Sequence, residues 1–286
     1  MNMGLVNAKE IYTKARQGNY GVGGFVAENM EMIRAILLAA EETKSPVIIT
    51  LWEKDIEFAT PGMLETIIKF YSKNTAVPVA IMLDHGTNMQ SCLQAVQNGH
   101  TCVMIDASHE NFDNNARITR EVCRKVHPLG IMVEGEIGTI RRTFEDVGEY
   151  SSDSILTEPD VVNEFVLSSE IDAVAVSIGN ESGIIDQVID LDRLKRISDS
   201  TDAFIILHGG SCTSDDDIGK AVECGATGFR FASENRIMYL NAVEKHRKSL
   251  SENFADTRLI YGQSIQEVKE LIKTRMKAMG CAGKAW

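Results

Sequence analysis

The chain has 286 residues, 44% of them hydrophobic, enough to build one barrel-sized domain or two small ones. Its 29 basic and 41 acidic side chains leave a net charge of −12. That balance argues against a non-specific nucleic-acid or anionic-membrane surface, but not against a small anionic substrate. Only five prolines are present and no Gly/Ser-rich stretch marks a linker, so a single domain over 1–286 with a C-terminal helical extension is expected. The opening residues lack an apolar signal core, and no run approaches the roughly 20 apolar residues of a membrane span. Six cysteines without a CxxC pair read as reduced thiols of a cytoplasmic protein.

In chain order, short apolar runs alternate with amphipathic ones. Strands are predicted at 21–27, 46–52, 77–84, 101–108, 130–138, 172–179, 203–210 and 226–233. Helical patterns fall at 29–44 (apolar at 30, 33, 36, 37 and 40), then near 61–74, 88–98, 112–127, 158–168, 189–198, 214–223 and 234–250. A last one covers 264–280. Runs that are apolar on both faces suit parallel strands covered by helices. Eight strand–helix units predict an α/β fold, a (β/α)8 TIM barrel. A doubly wound sheet is the alternative. The barrel is preferred because polar residues cluster at the C-terminal ends of nearly all eight strands, which a barrel brings together at one mouth.

Those strand ends carry the chemistry. VAIMLDHG ends in Asp84 and His85, and AFIILHGGSC delivers His208 ahead of Gly209, Gly210, Ser211 and Cys212. A lone histidine is usually structural. Two at equivalent strand ends, among Glu134, Glu136, Asp106 and Asp84, suit a divalent metal, since imidazole and carboxylate both bind zinc. His100, His109, His127 and His246 lie in helical or linking segments and read as structural. Gly209 and Gly210 would let the backbone approach a ligand closely. The GGS turn after strand 7 and Ser233 after strand 8, near a helix start, are placed to hold a phosphate.

NAKEIYTKARQGNYGVGGF, LDHG, MIDAS followed by NFDNN, VEGEIG and LHGGS stand in the order and spacing of one family. The chain resembles the class II, metal-dependent ketose-bisphosphate aldolases of the fructose- and tagatose-bisphosphate type, nearly end to end. The resemblance implies a lyase that breaks or forms a carbon–carbon bond in a sugar phosphate through a metal-stabilised enediolate. It implies Asp84 as the acid/base at the cleaved bond, Glu145 as a second acid/base on a mobile loop, and His85 and His208 as zinc ligands. Asn29, Gly179, Gly209, Gly210, Ser211, Arg230 and Ser233 fall at substrate-binding positions. A homodimer or homotetramer is implied as well.

The departures from the family pattern concern the metal and the substrate. IGNESG stands where the family carries its third histidine, so Ser182 replaces an imidazole. Glu136 is the preferred substitute ligand and Glu181 the other. Arg141 and Arg142 replace loop glycines, Arg230 replaces an asparagine, Gly228 a lysine and Val26 another asparagine. Arg230 is expected either to meet an extra anionic group of the substrate or to pair with Glu181 or Asp106. Lys54 is a third possibility, as a Schiff-base lysine. Two readings stay open. One is an aldolase with a weakened zinc site and a more acidic substrate. The other is a barrel that has lost zinc chemistry and acts as a different enzyme or a sugar-phosphate-binding protein. The retained Asp84, His85, Glu136, Glu145 and His208 favour the first.

Overall fold

The computed structural model describes residues 4–140, 155–183, 187–251, 253 and 256–286. Eight parallel strands close into a barrel in sequence order: β1 Val22–Val26, β2 Val47–Trp52, β3 Val79–Gly86, β4 Cys102–Ile105, β5 Met132–Ile137, β6 Ala173–Val176, β7 Phe204–Leu207 and β8 Ala226–Phe231. β8 returns to β1 with Gly24 opposite Arg230. The eight predicted strands are all present. Several stop short of their predicted ends, β4 at Ile105, β6 at Val176 and β7 at Leu207, because the polar residues that follow leave the ladder for the mouth loops.

Eleven α-helices lie among the described residues. They are α1 Ala8–Gln17, α2 Met30–Thr43, α3 Glu53–Ala59, α4 Met63–Ser72, α5 Met89–Gln97, α6 Phe112–Val126, α7 Pro159–Ser169, α8 Leu191–Ser200, α9 Asp215–Glu223, α10 Ser233–Lys248 and α11 Thr257–Ala278. Among these, no helix is long and apolar enough to cross a membrane. α11 packs against α2 and α10, so the C-terminal helix joins the layer that covers β8 and β1.

α1 was not among the predicted helices, although its signal was present. Ala8, Ile11, Tyr12 and Ala15 are buried at helical spacing, and the Asn7 side chain accepts the Lys9 N–H as an N-cap. The helix lies across the N-terminal end of the barrel. Lys9 Nζ reaches Asp172 just before β6, Arg16 reaches the Asp202 carbonyl before β7, and Val6 N–H meets the Val79 carbonyl at the start of β3. α1 therefore forms a floor, and Tyr12, fully buried, rises from it into the barrel.

Glycines make room for that interior. A Cβ on Gly228 would lie 2.8 Å from Tyr12 Oη, and one on Gly24 would lie 2.9 Å from Arg230 Cδ. Neither contact is tolerable for a side chain, so the sequences VGGFV and ATGFRF suit a barrel filled by Tyr12 and Arg230.

Candidate active site

The site begins with an irregularity. Consecutive side chains of a strand face opposite sides, so Asp84 and His85 could not share a cleft on an unbroken β3. The chain breaks the alternation there. His85 adopts a left-handed backbone, φ +46°, and the β3–β4 register shifts between Leu83 and Gly86. Gly86 is required at this step, since a Cβ would fall 2.6 Å from the Met104 carbonyl. Both Asp84 and His85 consequently line one cleft at the C-terminal ends of the strands. A left-handed non-glycine residue costs on the order of 1–3 kcal/mol and persists only where its surroundings enforce it.

β7 brings His208 to the same place. The His85 and His208 rings meet edge to face with centroids 4.7 Å apart. Each imidazole donates to its own carboxylate, His85 Nδ1 to Asp106 Oδ2 at 2.8 Å and His208 Nε2 to Glu134 Oε1 at 3.1 Å. Such pairs fix ring orientation and leave the second nitrogen to face a metal. Glu134 and Glu136, two residues apart on β5, both turn inward, while Gly135 between them packs outward on Thr119 and Ile171. Glu136 lies 3.9 Å from His85 Nδ1 and accepts the Ile140 N–H at 3.1 Å.

Donor atoms of Asp84, His85 and His208 all lie within 4.8 Å of one another, as do those of His85, Asp106 and Glu136. Two imidazoles flanked by carboxylates match the donor preferences of a divalent metal such as zinc. Asp84 thus joins both histidines in one group, whereas Glu136 joins His85.

Arg230 lies beneath this cluster with its side chain 3% exposed. One Nη2–H goes to Glu134, which the guanidinium shares with His208, and Nη1 donates to Tyr12 Oη at 2.8 Å. Burial alone would lower its pKa, but Glu134, then Tyr12 and Asp84, raise it above the usual range. The acidic partner is Glu134, in place of the expected Glu181 or Asp106. Tyr12, Arg230, Glu134 and His208 form a continuous buried chain from floor to mouth.

The other wall of the cleft is built by the loops after β7 and β8. Gly209 has φ +71°, and a Cβ there would lie 2.2 Å from the Glu181 carbonyl oxygen; at Gly210 it would lie 2.9 Å from the Arg230 carbonyl oxygen. The two glycines admit neighbouring protein backbone. Ala232 precedes α10 and supplies no side-chain cap. Ser211 Oγ instead accepts the Glu234 N–H at 3.3 Å, and Ser211 and Ser233 both line the cleft.

The remaining predicted positions are placed as follows. Ser182 lines the cleft, at the position where the family pattern has histidine. Asn29 caps α2 by accepting the Met32 N–H. Gly179, φ +95°, admits the Val188 carbonyl, which a Cβ would meet at 2.4 Å. Lys54 sits 4.8 Å over the Trp52 ring. Glu145, Arg141 and Arg142 lie outside the described residues. His100, His127 and His246 pair with Glu65, Asp172 and Glu267, consistent with structural roles. All six cysteines are free, and burial pushes Cys92 and Cys281 up to about 12, far from thiolate reactivity.

Two cleft residues escaped the sequence reading. Arg236 lines the cleft and pairs with Glu28 and Asp55; its spacing three residues beyond Ser233 on a helix was the available signal. Trp52 forms part of the wall and was hidden inside a predicted strand.

Comparison with known proteins agrees with this geometry. The family model described as "Fructose-bisphosphate aldolase class-II" matches residues 6–284. A fructose-bisphosphate aldolase of Thermus caldophilus is 34% identical, with 98% of this chain and all of that protein covered. A sulfofructosephosphate aldolase of Alkalicoccus urumqiensis is 33% identical over 99% of each. Among solved structures, the YdjI aldolase from Escherichia coli K12 superposes with a TM-score of 0.85 at 28% identity, covering 99% of this chain and all of that one. A match that extends through both histidine strands and nearly the whole length settles the assignment: the chain belongs to the class II fructose-bisphosphate aldolase family and is a lyase.

Proposed function

We propose that this lyase cleaves, and in reverse forms, a carbon–carbon bond in a ketose phosphate with zinc held by His85 and His208. The observation that carries the reading is the convergence of Asp84, His85 and His208, from two strands, within 4.8 Å. A carboxylate completes the donor set. Glu136, buried and grouped with His85 among the possible donors, is the carboxylate that would compensate for Ser182. Zinc, when bound, supplies Lewis-acid stabilisation of the oxygen charge that develops as the bond breaks.

The protein's own groups do the rest. Asp84, on the same cleft wall as His85, takes the proton from the hydroxyl at the cleaved bond and returns it in the reverse direction. Glu145 is assigned the proton transfer at carbon by the family pattern. The phosphate lies between the β7 loop and the start of α10, where the Ser211 and Ser233 side chains line the cleft and the positive end of the helix favours an anion. The sugar-phosphate class is supported by the family and by relatives whose names specify phosphorylated ketoses. Arg230 is engaged by Glu134 and Tyr12, so its first service is to the histidine ligand above it. An added anionic group on the substrate would have to draw it away from Glu134.

Free cysteines throughout support a cytoplasmic location. Exposed Ile237, Leu240 and Leu259 on α10 and α11 support association into a homodimer or homotetramer. The test is metal analysis of freshly purified protein, with zinc calorimetry and a cleavage screen over ketose mono- and bisphosphates. Stoichiometric zinc and chelator-sensitive cleavage are expected. Absence of both would return the chain to the reading of a barrel that has lost its chemistry.

A further inference from the structure

We infer that Arg275, on the C-terminal helix α11, is a positioning residue that assembles the phosphate cradle and neutralises an acid built into it. The inference rests on the phosphate site proposed above, at the loop after β7 and the start of α10. Arg275 lies outside that site, yet its guanidinium ties the two halves together. Nη1 donates to the Thr213 carbonyl at 3.0 Å and to Asp215 Oδ1 at 2.7 Å. Nη2 donates to the Ser211 carbonyl at 3.3 Å. Nε and Nη2 hold the Glu234 carboxylate at 2.9 and 2.7 Å, a paired arrangement that lysine cannot reproduce. One side chain therefore bonds the β7 loop at Ser211 and Thr213, the first turn of α9 at Asp215, and the first turn of α10 at Glu234.

Two physical consequences follow for an anion in the cleft. The carbonyls of Ser211 and Thr213 are drawn toward α11, away from the cleft. A carbonyl turned the other way would repel a phosphate. The Ser211 hydroxyl, fixed on the same loop, stays within reach of the Glu234 N–H. The second consequence is electrostatic. Glu234 sits in the first turn of the helix that faces the anion, and its side chain is only 11% exposed. Burial raises its pKa, and Arg275 opposes that shift. Without Arg275, the buried Glu234 carboxylate, one residue from Ser233 of the cleft wall, would be left uncompensated, which costs far more than losing an exposed pair. Asp215 would add a second negative charge.

The experiment measures inorganic phosphate binding by calorimetry on the zinc-loaded full chain, with thermal melts of each variant. Arg275→Ala should weaken phosphate binding by about tenfold, the scale of one lost charge-assisted interaction. Arg275→Lys should recover part of the loss, because a lysine restores charge but not the paired bonds. Glu234→Gln added to Arg275→Ala should recover a further part by removing the uncompensated acid. In cleavage assays the loss should fall on KM, with kcat little changed. If Arg275→Ala melts as the wild type and binds phosphate equally well, the inference is overturned while the phosphate site stands. If the wild type itself binds no phosphate, the site fails and the inference with it. Should Arg275→Ala not fold, the folded Arg275→Lys decides: wild-type phosphate affinity in it, with native melting, overturns the inference.

Discussion

The two ends of the barrel treat the same side chain in opposite ways. At the floor, Asp172 receives the Val133 N–H at 3.0 Å, Lys9 Nζ at 2.7 Å and His127 Nε2 at 2.9 Å. Burial alone would raise its pKa, but those donors together pull it down to about 2. At the mouth, Asp55 on α3 accepts the Trp52 N–H at 3.2 Å and lies 3.7 Å from Arg236. There burial prevails over Arg236, and the neighbouring Glu28 adds repulsion, so the carboxyl is pushed up to about 7. Asp172 has donors enough to stabilise its charge, and Asp55 does not. A barrel of this kind keeps stability at one end and chemistry at the other.

Mutations can break that division or sharpen it. The largest effect is expected from Asp84→Asn, which keeps the shape of the side chain and removes its base. Cleavage should fall by about 10²–10⁴-fold, the usual contribution of a general acid–base group, with zinc content and urea midpoint unchanged. A variant with wild-type turnover would take Asp84 out of the mechanism and leave the mouth without its base.

Ser182→His comes next. Restoring an imidazole on the cleft wall should raise zinc affinity by about 10–100-fold, the range over which ligand-shell changes act, read by calorimetry against a competing chelator. No change would mean that the carboxylates already complete the site.

At the floor, Asp172→Asn should reduce stability by about 2 kcal/mol at pH 7 with kcat intact. The sign follows from the direction of the shift. A native pKa near 2 lies below the ordinary 3.8, so the stabilisation is fully present above about pH 4 and is lost as pH falls toward 2. The gap between wild type and variant in urea melts should narrow over that interval. A gap independent of pH would assign the loss to packing.

The smallest effect is expected at Asp55. Its native pKa lies above that of the unfolded chain, so a charging cost is absent below about pH 4 and grows as pH rises through 7. Asp55→Asn should therefore stabilise the protein at pH 8, by on the order of 1 kcal/mol once the lost Arg236 attraction is offset, and should have no stabilising effect at pH 4. Destabilisation at pH 8 would show that Asp55 serves Arg236 as an ion-pair partner first.

Local pattern made the eight strands legible, because a strand buried on both faces reads as an unbroken apolar run such as PVIIT or AFIIL. The polar residues that end those runs pointed to the mouth, and Asp84, His85 and His208 were nameable before any coordinates. α1 carried a readable helical stripe but stood outside the alternating units, so its place as the floor was not evident. Gly209 and Gly210 signalled a close approach, and composition could not say that Glu181 and Arg230 backbone make it.

What the sequence determined by itself was whatever depends on near neighbours: strand and helix periods, the order of the units, and the residue types delivered at each strand end. Tertiary structure decided the pairings across the barrel. Arg230 and Glu134 are 96 positions apart, on strands that do not adjoin, and only the closure and stagger of eight strands bring them to one level. Arg275 meets Glu234 because α11 returns to pack on α10. Asp84 and His85 share a cleft because the β3 register shifts beside β4. Charge partners are chosen by distance in space, and a linear pattern carries no measure of that distance until the barrel has closed.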